Sequence, residues 1–387
     1  MRRDELNQPL HKRSLRQRLW ERRPSALVCA YTLAIAGMIG GSTWVARQPH
    51  PFAGEPIVVV AVPPPEQIKT ASIEPVAEAP VQVEDIVPQD VEEVKLDAEP
   101  PPKKYQQDAA VFISPRMPLT KAPIFAVTET TDVGMLPRIA STGKKPADAY
   151  AKTVSMGIIH SEAPKIIIIL GGMGLNEKLT NQAAKDLPAE VTFAFAPYGN
   201  NLQAQVDKAR ANGHEVLLQL PLEPVGFPAT NPGPNTLLAD AKDGENITSL
   251  YWHMSRFAGY AGVINYMGGR FLSSAPAVKP LLMELRKRGL LFIEDGSLAL
   301  SATEDVARSL QFQVRRGQLV IDVNADADSI TSALNLLEEE ANKNGFAIGT
   351  GSGLEITVRT VADWAKAAAD RGVIFMPASA AFKGRMG

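Results

Sequence analysis

The chain has 387 residues, of which 45% are hydrophobic, 21% are charged and 6% are aromatic, which excludes a wholly disordered or collagen-like chain. The formal net charge of -2, from 40 basic and 42 acidic residues, excludes a protein that wraps nucleic acid through phosphate contacts, and no nucleic-acid partner is expected. The single cysteine, Cys29, excludes an internal disulfide and any cysteine-based metal site.

The first 46 residues have the pattern of a membrane anchor. Residues 1–24 carry eight Lys or Arg against three acids, a net charge of +5, and residues 25–46 carry no Asp, Glu, Lys, Arg or His. At roughly 1.5 Å per helical residue, this run is about long enough to cross a hydrocarbon core of roughly 30 Å. The basic cluster keeps the N-terminus cytoplasmic. We therefore expect a single-pass protein of the bacterial inner membrane, with its C-terminal domain in the periplasm.

Two other interpretations of residues 25–46 stay open. Ala34-Ile35-Ala36 resembles a cleavage site, so the segment could be a signal peptide that is removed. A buried core helix is the other alternative, although the Gly and Ser content and the flanking charges disfavour it.

Residues 47–163 have the composition of a disordered linker. They hold 17 of the 30 prolines, and residues 66–99 carry ten acids and only two lysines. Because proline removes a backbone donor and like charges repel, we expect an extended tether rather than a folded unit. Its scattered Val and Ile residues could instead form a motif that binds another envelope protein.

Residues 164–387 show the pattern of an alternating α/β domain. Continuous apolar runs of strand length, typical of strands covered on both faces, occur at 165–170, 191–196, 215–220, 261–265, 290–294, 319–323, 346–349 and 373–376. Four intervening helical stretches end in a glycine directly before a strand, at Gly213, Gly289, Gly345 and Gly372. Because glycine adopts the left-handed conformation that closes a helix, the repeat predicts a parallel sheet. Eight strands predict a closed or nearly closed barrel, with an open doubly wound sheet as the alternative.

Unusual residues concentrate in the loops that follow the strands, where α/β folds bind ligands. The first such loop, GGMG at 171–174, lacks the third glycine of a dinucleotide fingerprint and the lysine of a P-loop, so nucleotide binding is disfavoured. The run 322–333 resembles a calcium loop but lacks its glycine and its final glutamate. We predict instead that Asp326 and Asp328 cap the following helix, and that His214 and His253 are packing or surface residues.

The ordered series of strand-end motifs resembles the divergent polysaccharide deacetylase family, relatives of the chitin-deacetylase type of carbohydrate esterase. The resemblance covers nearly all of 164–387 and rests on IIIILGGMG, GHEVLLQLPLEP, GVINYMGGRF, LLFIEDGS, LVIDV and AIGTGSG, in that order. It implies a distorted (β/α) barrel and an envelope polysaccharide or glycan as the ligand. In active members it implies hydrolysis of an N-acetyl or O-acetyl group by a metal-bound water.

This sequence departs from the ligand set that the resemblance implies. Gly171 and Gly172 stand where active members have an Asp-Asp pair, and Tyr266 and Thr350 stand where they have histidines. Glycine has no donor side chain, and a neutral hydroxyl is a poor ligand for zinc. We therefore predict no metal and no cofactor. A divalent cation such as Mg or Ca, held by the remaining carboxylates, is the alternative.

The favoured hypothesis is a membrane-anchored protein that binds envelope glycan and is catalytically degenerate. Its predicted substrate-binding residues are Tyr198, Glu223, Asn265, Tyr266, Arg270 and Glu294. One alternative is an active deacetylase with an altered metal site, in which Asp295 and Asp322 are the catalytic residues. Another alternative is a scaffold that binds an envelope protein through the linker or through one face of the barrel.

Overall fold

A computed structural model describes residues 116–383. The predicted membrane segment at 25–46 and the first part of the predicted linker, 47–115, lie outside these residues. Within 116–383, no helix combines the length and the apolar character needed to span a bilayer.

The described part of the chain alternates strands and helices. Its strands are β1 (Thr128–Thr131), β2 (Gly134–Pro137), β3 (Lys165–Met173), β4 (Thr192–Phe195), β5 (Val216–Leu222), β6 (Gly262–Met267), β7 (Leu291–Glu294), β8 (Val314–Arg316), β9 (Leu319–Val320), β10 (Phe346–Ser352) and β11 (Ile374–Phe375). Its α-helices are α1 (Pro146–Ala149), α2 (Met156–Ile159), α3 (Glu177–Asp186), α4 (Leu202–Ala211), α5 (Glu245–Met254), α6 (Gly269–Leu272), α7 (Ala275–Arg288), α8 (Thr303–Ser309), α9 (Ala327–Asn344) and α10 (Glu355–Asp370). Short 3-10 helices lie at Phe125–Val127 and Ala378–Phe382.

Each of the eight predicted apolar runs contains a strand of the main sheet. The sequence pattern missed β8, because Arg315 and Arg316 interrupt its apolar character. Parallel pairing with β7, in which Phe292 lies opposite Val314, makes this segment a strand. The local pattern therefore identified the strands of the main sheet that are apolar in sequence, but not the one that carries two arginines.

The main sheet has nine strands and only parallel pairings, in the order β8-β7-β6-β5-β4-β3-β10-β9, with β11 also pairing with β3. The end strands β8 and β9 are not paired with each other, but only Gly317 and Gln318 separate them along the chain. The Gly317 N–H donates to the Glu294 carbonyl at 2.8 Å, and the Gln318 N–H donates to the Ile348 carbonyl at 2.8 Å. The chain therefore crosses from one end of the sheet to the other and makes a distorted, incompletely paired barrel.

The composition of the two apolar layers favours a barrel over the open doubly wound alternative, in which long helices cover both faces of the sheet. Ile167 and Ile169 of β3 belong to an inner cluster made mainly of residues from the strands and from the C-terminal segment. Ile166 and Ile168 belong to the larger cluster formed with the surrounding helices. Because consecutive strand residues point to opposite faces, burial of both faces produces the continuous apolar runs of the sequence.

The predicted helix ends are confirmed. The glycines that close the four helices have positive φ angles of 87° at Gly213, 67° at Gly289, 81° at Gly345 and 91° at Gly372. Asp326 caps α9 as predicted, because its carboxylate accepts a hydrogen bond from the Ser329 N–H at 2.8 Å.

The predicted linker requires a correction from residue 116 onward. Residues 116–163 contain the β1–β2 hairpin and two short helices, and Val127 and Tyr150 are buried in a cluster with Ala258 and Ala261. The Arg210 guanidinium also donates hydrogen bonds to the Tyr150 carbonyl and to the Thr120 carbonyl. The high proline content favoured the prediction of a disordered linker, although a few apolar residues of this segment pack against the barrel.

The C-terminal segment covers the amino end of the barrel. Ala378 and its neighbours belong to the inner apolar cluster. The Ser379 N–H and Oγ donate to the Glu215 carboxylate at 2.8 and 2.5 Å, and the Ala378 N–H donates to Thr192 Oγ1 at 2.9 Å. Burial raises the pKa of Glu215, and the hydrogen bonds from Ser379 oppose that change. The C-terminal segment closes the amino end of the barrel through this apolar cluster and these hydrogen bonds. The carboxyl end is therefore the open end.

His214 is a packing residue, as predicted. Its ring is fully buried, stacks on Phe193 with 4.1 Å between ring centroids, and contacts the carbonyls of Val191 and Ala184. Burial lowers the pKa of His214 to about 4 and outweighs the two backbone contacts, which favour the charged ring. The folded domain therefore holds this imidazole neutral.

Replacing His214 should change how the stability depends on pH. The folded-state pKa lies below the ordinary value of 6.5, so the unfolded chain binds more protons and stability is lost as the pH falls from 6.5 toward 4. This loss is on the order of 3 kcal/mol for a shift of this size. His214→Gln should give a shallower decrease in the free energy of unfolding over this range, measured by urea denaturation. His160→Gln, at an exposed histidine, is the control; a wild-type slope in His214→Gln would contradict the assignment.

Candidate functional site

A cleft of about 590 Å³ opens at the carboxyl ends of the barrel strands. Its walls continue the inward face of the strands. On β5, for example, Leu217 belongs to the inner core, and the next two inward residues, Gln219 and Pro221, line the cleft. This is the end of the barrel at which the sequence predicts a binding site.

Five of the eight predicted site residues line this cleft: Tyr198, Asn265, Tyr266, Asp295 and Asp322. The other three, Glu223, Arg270 and Glu294, do not line it. The roles of the five cleft residues stay predictions, while the placement of the other three has a structural explanation.

Glu294 is turned away from the cleft by strand alternation. It precedes the inward Asp295, so its side chain points to the outer face of β7, where it is buried. There the Ser301 hydroxyl donates to Glu294 Oε2 at 2.8 Å, and Arg316 Nε lies 3.7 Å from Glu294 Oε1. Adjacent carboxylates in the sequence therefore do not converge in space.

Glu223 and Arg270 form an ion pair beside the cleft. Arg270 Nη1 lies 2.7 Å from Glu223 Oε1, and the buried Glu223 also accepts a hydrogen bond from the Ala239 N–H at 2.6 Å. Arg270 also pairs with Asp240. These contacts fasten the loop that follows β5 to α6, so the two residues hold the loop.

Asn265 uses both ends of its amide to hold the strand ends together. It is buried, its Oδ1 accepts from the Asp295 N–H at 2.8 Å, and its Nδ2 donates to the Met267 carbonyl at 2.7 Å. Asp295 Oδ1 in turn accepts from the N–H and the hydroxyl of Ser297, at 3.0 and 2.7 Å. Asn265 therefore positions the turn at Asp295.

Asp322, which follows β9, is held by hydrogen bonds from the end of β10 and from α10. Its Oδ2 accepts from the Ser352 N–H at 2.7 Å and from the Thr357 hydroxyl at 3.0 Å. Thr350, which stands where the resemblance implies a histidine, donates its hydroxyl to the Asp295 carbonyl at 2.6 Å. These bonds fix both aspartates and leave Thr350 facing the protein backbone.

The donor set in the cleft does not fit the metal centre that the resemblance implies. Within 116–383, no three His, Cys, Asp or Glu side chains lie together to hold a metal ion. Asp295 and Asp322 each have one oxygen committed to two hydrogen bonds, and neither imidazole nor a third carboxylate joins them. Zinc requires about three protein ligands, and calcium about six oxygens, so neither ion matches these residues.

Sequence reasoning missed Gln219, which occupies the floor of the cleft. Its Oε1 accepts a hydrogen bond from the Gly172 N–H at 2.8 Å. A Cβ atom added to Gly171 would lie 2.3 Å from Gln219 Nε2, closer than such contacts ever come. An aspartate at position 171 and this conformation of Gln219 therefore exclude each other. The signal was a polar residue near the end of the apolar run 215–220, two positions after Leu217 and therefore on the same inward face of the strand.

Two tyrosines form one wall of the cleft. Tyr266 is 40% exposed, and Tyr198 donates its hydroxyl to the Pro234 carbonyl at 2.8 Å. Burial, with a smaller contribution from Tyr266, raises the pKa of Tyr198. Behind Tyr198 the buried His253 contacts the Asn235 carbonyl at 2.8 Å, so this histidine packs as predicted. The wall combines exposed aromatic surface with a loop held firmly from behind.

Comparison with known proteins connects this architecture to a family. A family model described as divergent polysaccharide deacetylase matches residues 168–382. An uncharacterized protein from Agrobacterium tumefaciens C58, whose crystal structure is known, is 39% identical, with a TM-score of 0.62 over 64% of this chain and 99% of its own.

More distant relatives include the uncharacterized protein YibQ of Escherichia coli K12, which is 22% identical over 200 residues, or 51% of this chain. The match spans 61% of the length of YibQ. The catalytic domain of a peptidoglycan N-acetylglucosamine deacetylase from Eubacterium rectale is 12% identical, with a TM-score of 0.37 over 59% of this chain and 93% of its own.

Gly171→Ala tests the contact between Gly171 and Gln219. The new methyl group should displace the Gln219 amide and break its bond to Gly172, which costs about 1 kcal/mol of the free energy of unfolding. In a Gln219→Ala background the same change should cost less, because the side chain it would meet is gone. Urea denaturation of the four proteins measures the coupling. Equal costs in both backgrounds would show that the two positions do not interact.

Proposed function

Since the chain belongs to the divergent polysaccharide deacetylase family, we propose that its cleft binds an envelope polysaccharide or glycan without hydrolysing it. The observation that carries this proposal is the replacement of the metal-ligand positions. Gly171 provides no donor, Thr350 donates to a backbone carbonyl, and the Gln219 amide fills the space of a side chain at 171. Within 116–383, no three imidazole, thiol or carboxylate side chains lie together to hold the metal ion that such hydrolysis requires.

The chemistry of the cleft suits a sugar ring. The exposed part of Tyr266 and the neighbouring Tyr198 offer aromatic faces on which the apolar face of a pyranose can stack. Asp295 and Asp322 lie in the same cleft, and each has one oxygen that makes no hydrogen bond within 116–383. Those oxygens can accept hydrogen bonds from sugar hydroxyls. An apolar wall with a few fixed polar groups is the usual composition of such a site.

Tyr266→Ala tests the aromatic wall. The variant should bind an N-acetylated chito-oligosaccharide about tenfold more weakly than wild type, which corresponds to roughly 1.4 kcal/mol, measured by isothermal titration calorimetry. Phe125→Ala is the matched control, because Phe125 is 78% exposed and does not line the cleft. Equal affinities of Tyr266→Ala and wild type would remove Tyr266 from the site.

The same titrations separate binding from hydrolysis. Wild type should release no acetate, and a chelator should leave its affinity unchanged, because no metal takes part in the proposed binding. Acetate release that disappears in Asp295→Asn or Asp322→Asn would overturn the proposal in favour of an active deacetylase that uses those carboxylates.

We also propose that residues 25–46 anchor the protein in the bacterial inner membrane, with residues 116–383 in the periplasm. The uncharged run and the +5 cluster before it support this orientation. The full chain should stay in the membrane fraction after an alkaline carbonate wash, and protease added to spheroplasts should degrade its C-terminal domain. Deletion of 25–46 should remove the membrane association. Release of the full chain by the wash, or cleavage near Ala36, would contradict the anchor.

A further inference from the structure

Gln219 places an oriented amide at the floor of the cleft. Its Oε1 accepts the Gly172 N–H at 2.8 Å, and because that N–H needs an acceptor, the orientation of the amide is fixed. The opposite end, Nε2, makes no hydrogen bond to any residue within 116–383. Gln219 is only partly buried and lines the cleft, so this NH₂ group is available to a ligand.

The surroundings of Nε2 combine one donor with apolar surface. The group lies against Gly171, which has no side chain to cover it. Ile169 and Ile264, the inward residues below it on β3 and β6, also line the cleft. A hydrogen-bond donor beside an apolar floor matches a small acyl group, since its carbonyl oxygen accepts a hydrogen bond and its methyl group needs an apolar contact.

We propose that Gln219 is a specificity-determining residue, whose Nε2 donates a hydrogen bond to the carbonyl oxygen of an acyl group on the bound glycan. This inference rests on the proposed glycan binding and adds the residue that recognises the acylated form. A deacylated amino sugar presents an ammonium group to the same amide, and two donors cannot pair. Gln219 therefore favours the acylated sugar through a neutral donor.

Asp295 and Asp322 act in the opposite direction. They line the same cleft, and their negative charge attracts the ammonium group of a deacylated sugar. The net preference of the cleft is the difference between the free energy of this attraction and that of the hydrogen bond from Gln219. A variant that changes only Gln219 keeps both aspartates. A change in the ratio of its affinities for the acylated and the deacylated sugar, relative to wild type, therefore measures the contribution of the Gln219 amide.

The experiment compares two ligands and three variants in the full chain, solubilised in detergent. The ligands are tetramers of N-acetylglucosamine and of glucosamine, and calorimetry gives the Kd of each. Gln219→Leu, which keeps a similar volume without the donor, should weaken binding of the acetylated tetramer about tenfold and change binding of the other less than twofold. Gln219→Glu, which keeps an acceptor for the Gly172 N–H, should weaken acetylated binding and strengthen glucosamine binding.

The control and the outcomes separate this inference from the function on which it rests. Gln182→Leu, at an exposed glutamine of α3 outside the cleft, should bind both tetramers as wild type does. If wild type binds neither tetramer, glycan binding itself fails and the role of Gln219 fails with it. If both Gln219 variants keep the wild-type ratio of affinities, glycan binding stands and the assignment of Gln219 is overturned. Unfolding midpoints show whether Gln219→Leu is folded, and Gln219→Glu provides the test if it is not.

Discussion

Along β3, every second side chain points into the barrel, and the series Ile167, Ile169 ends at Gly171 where the cleft begins. The same alternation on the neighbouring strands decides which residues reach the cleft. It brings Asp295 and Thr350 to the inside and sends Glu294 to the outside, although Glu294 and Asp295 are adjacent in the chain. The chemistry of the site follows from this register, because mainly the inward residues near the carboxyl ends of the strands line the cleft.

Gln219 and Gly171 are best understood as one structural unit. A side chain at 171 and the amide of Gln219 compete for the same volume, and the bond from Gly172 holds the amide in that volume. The space that a side chain at 171 would need is therefore filled by the Gln219 amide. Gln219 and Asn265, whose amide oxygen and nitrogen each form a hydrogen bond with the backbone, contribute two neutral amides to the cleft.

This organisation keeps an open cleft at one end of the barrel. The carboxyl end of the barrel stays open, and the C-terminal segment covers the amino end through Ser379 and Glu215. The loop that follows β5 is held by Glu223 and Arg270 on one side and by Tyr198 on the other. An ion pair and a hydrogen bond thus hold the loop beside the cleft, and Tyr266 is 40% exposed.

The sequence by itself determined the parallel α/β arrangement, the helix ends and the end of the barrel at which the cleft opens, because burial periodicity and glycine conformation are local properties. It did not determine that 116–163 are folded, since only tertiary contacts show that Tyr150 packs on the barrel. It also could not separate Glu294 from Asp295 or identify Gln219. Those assignments depend on the direction of each side chain and on contacts between strands distant in the chain, such as that of Gln219 with Gly172, which only the tertiary structure decides.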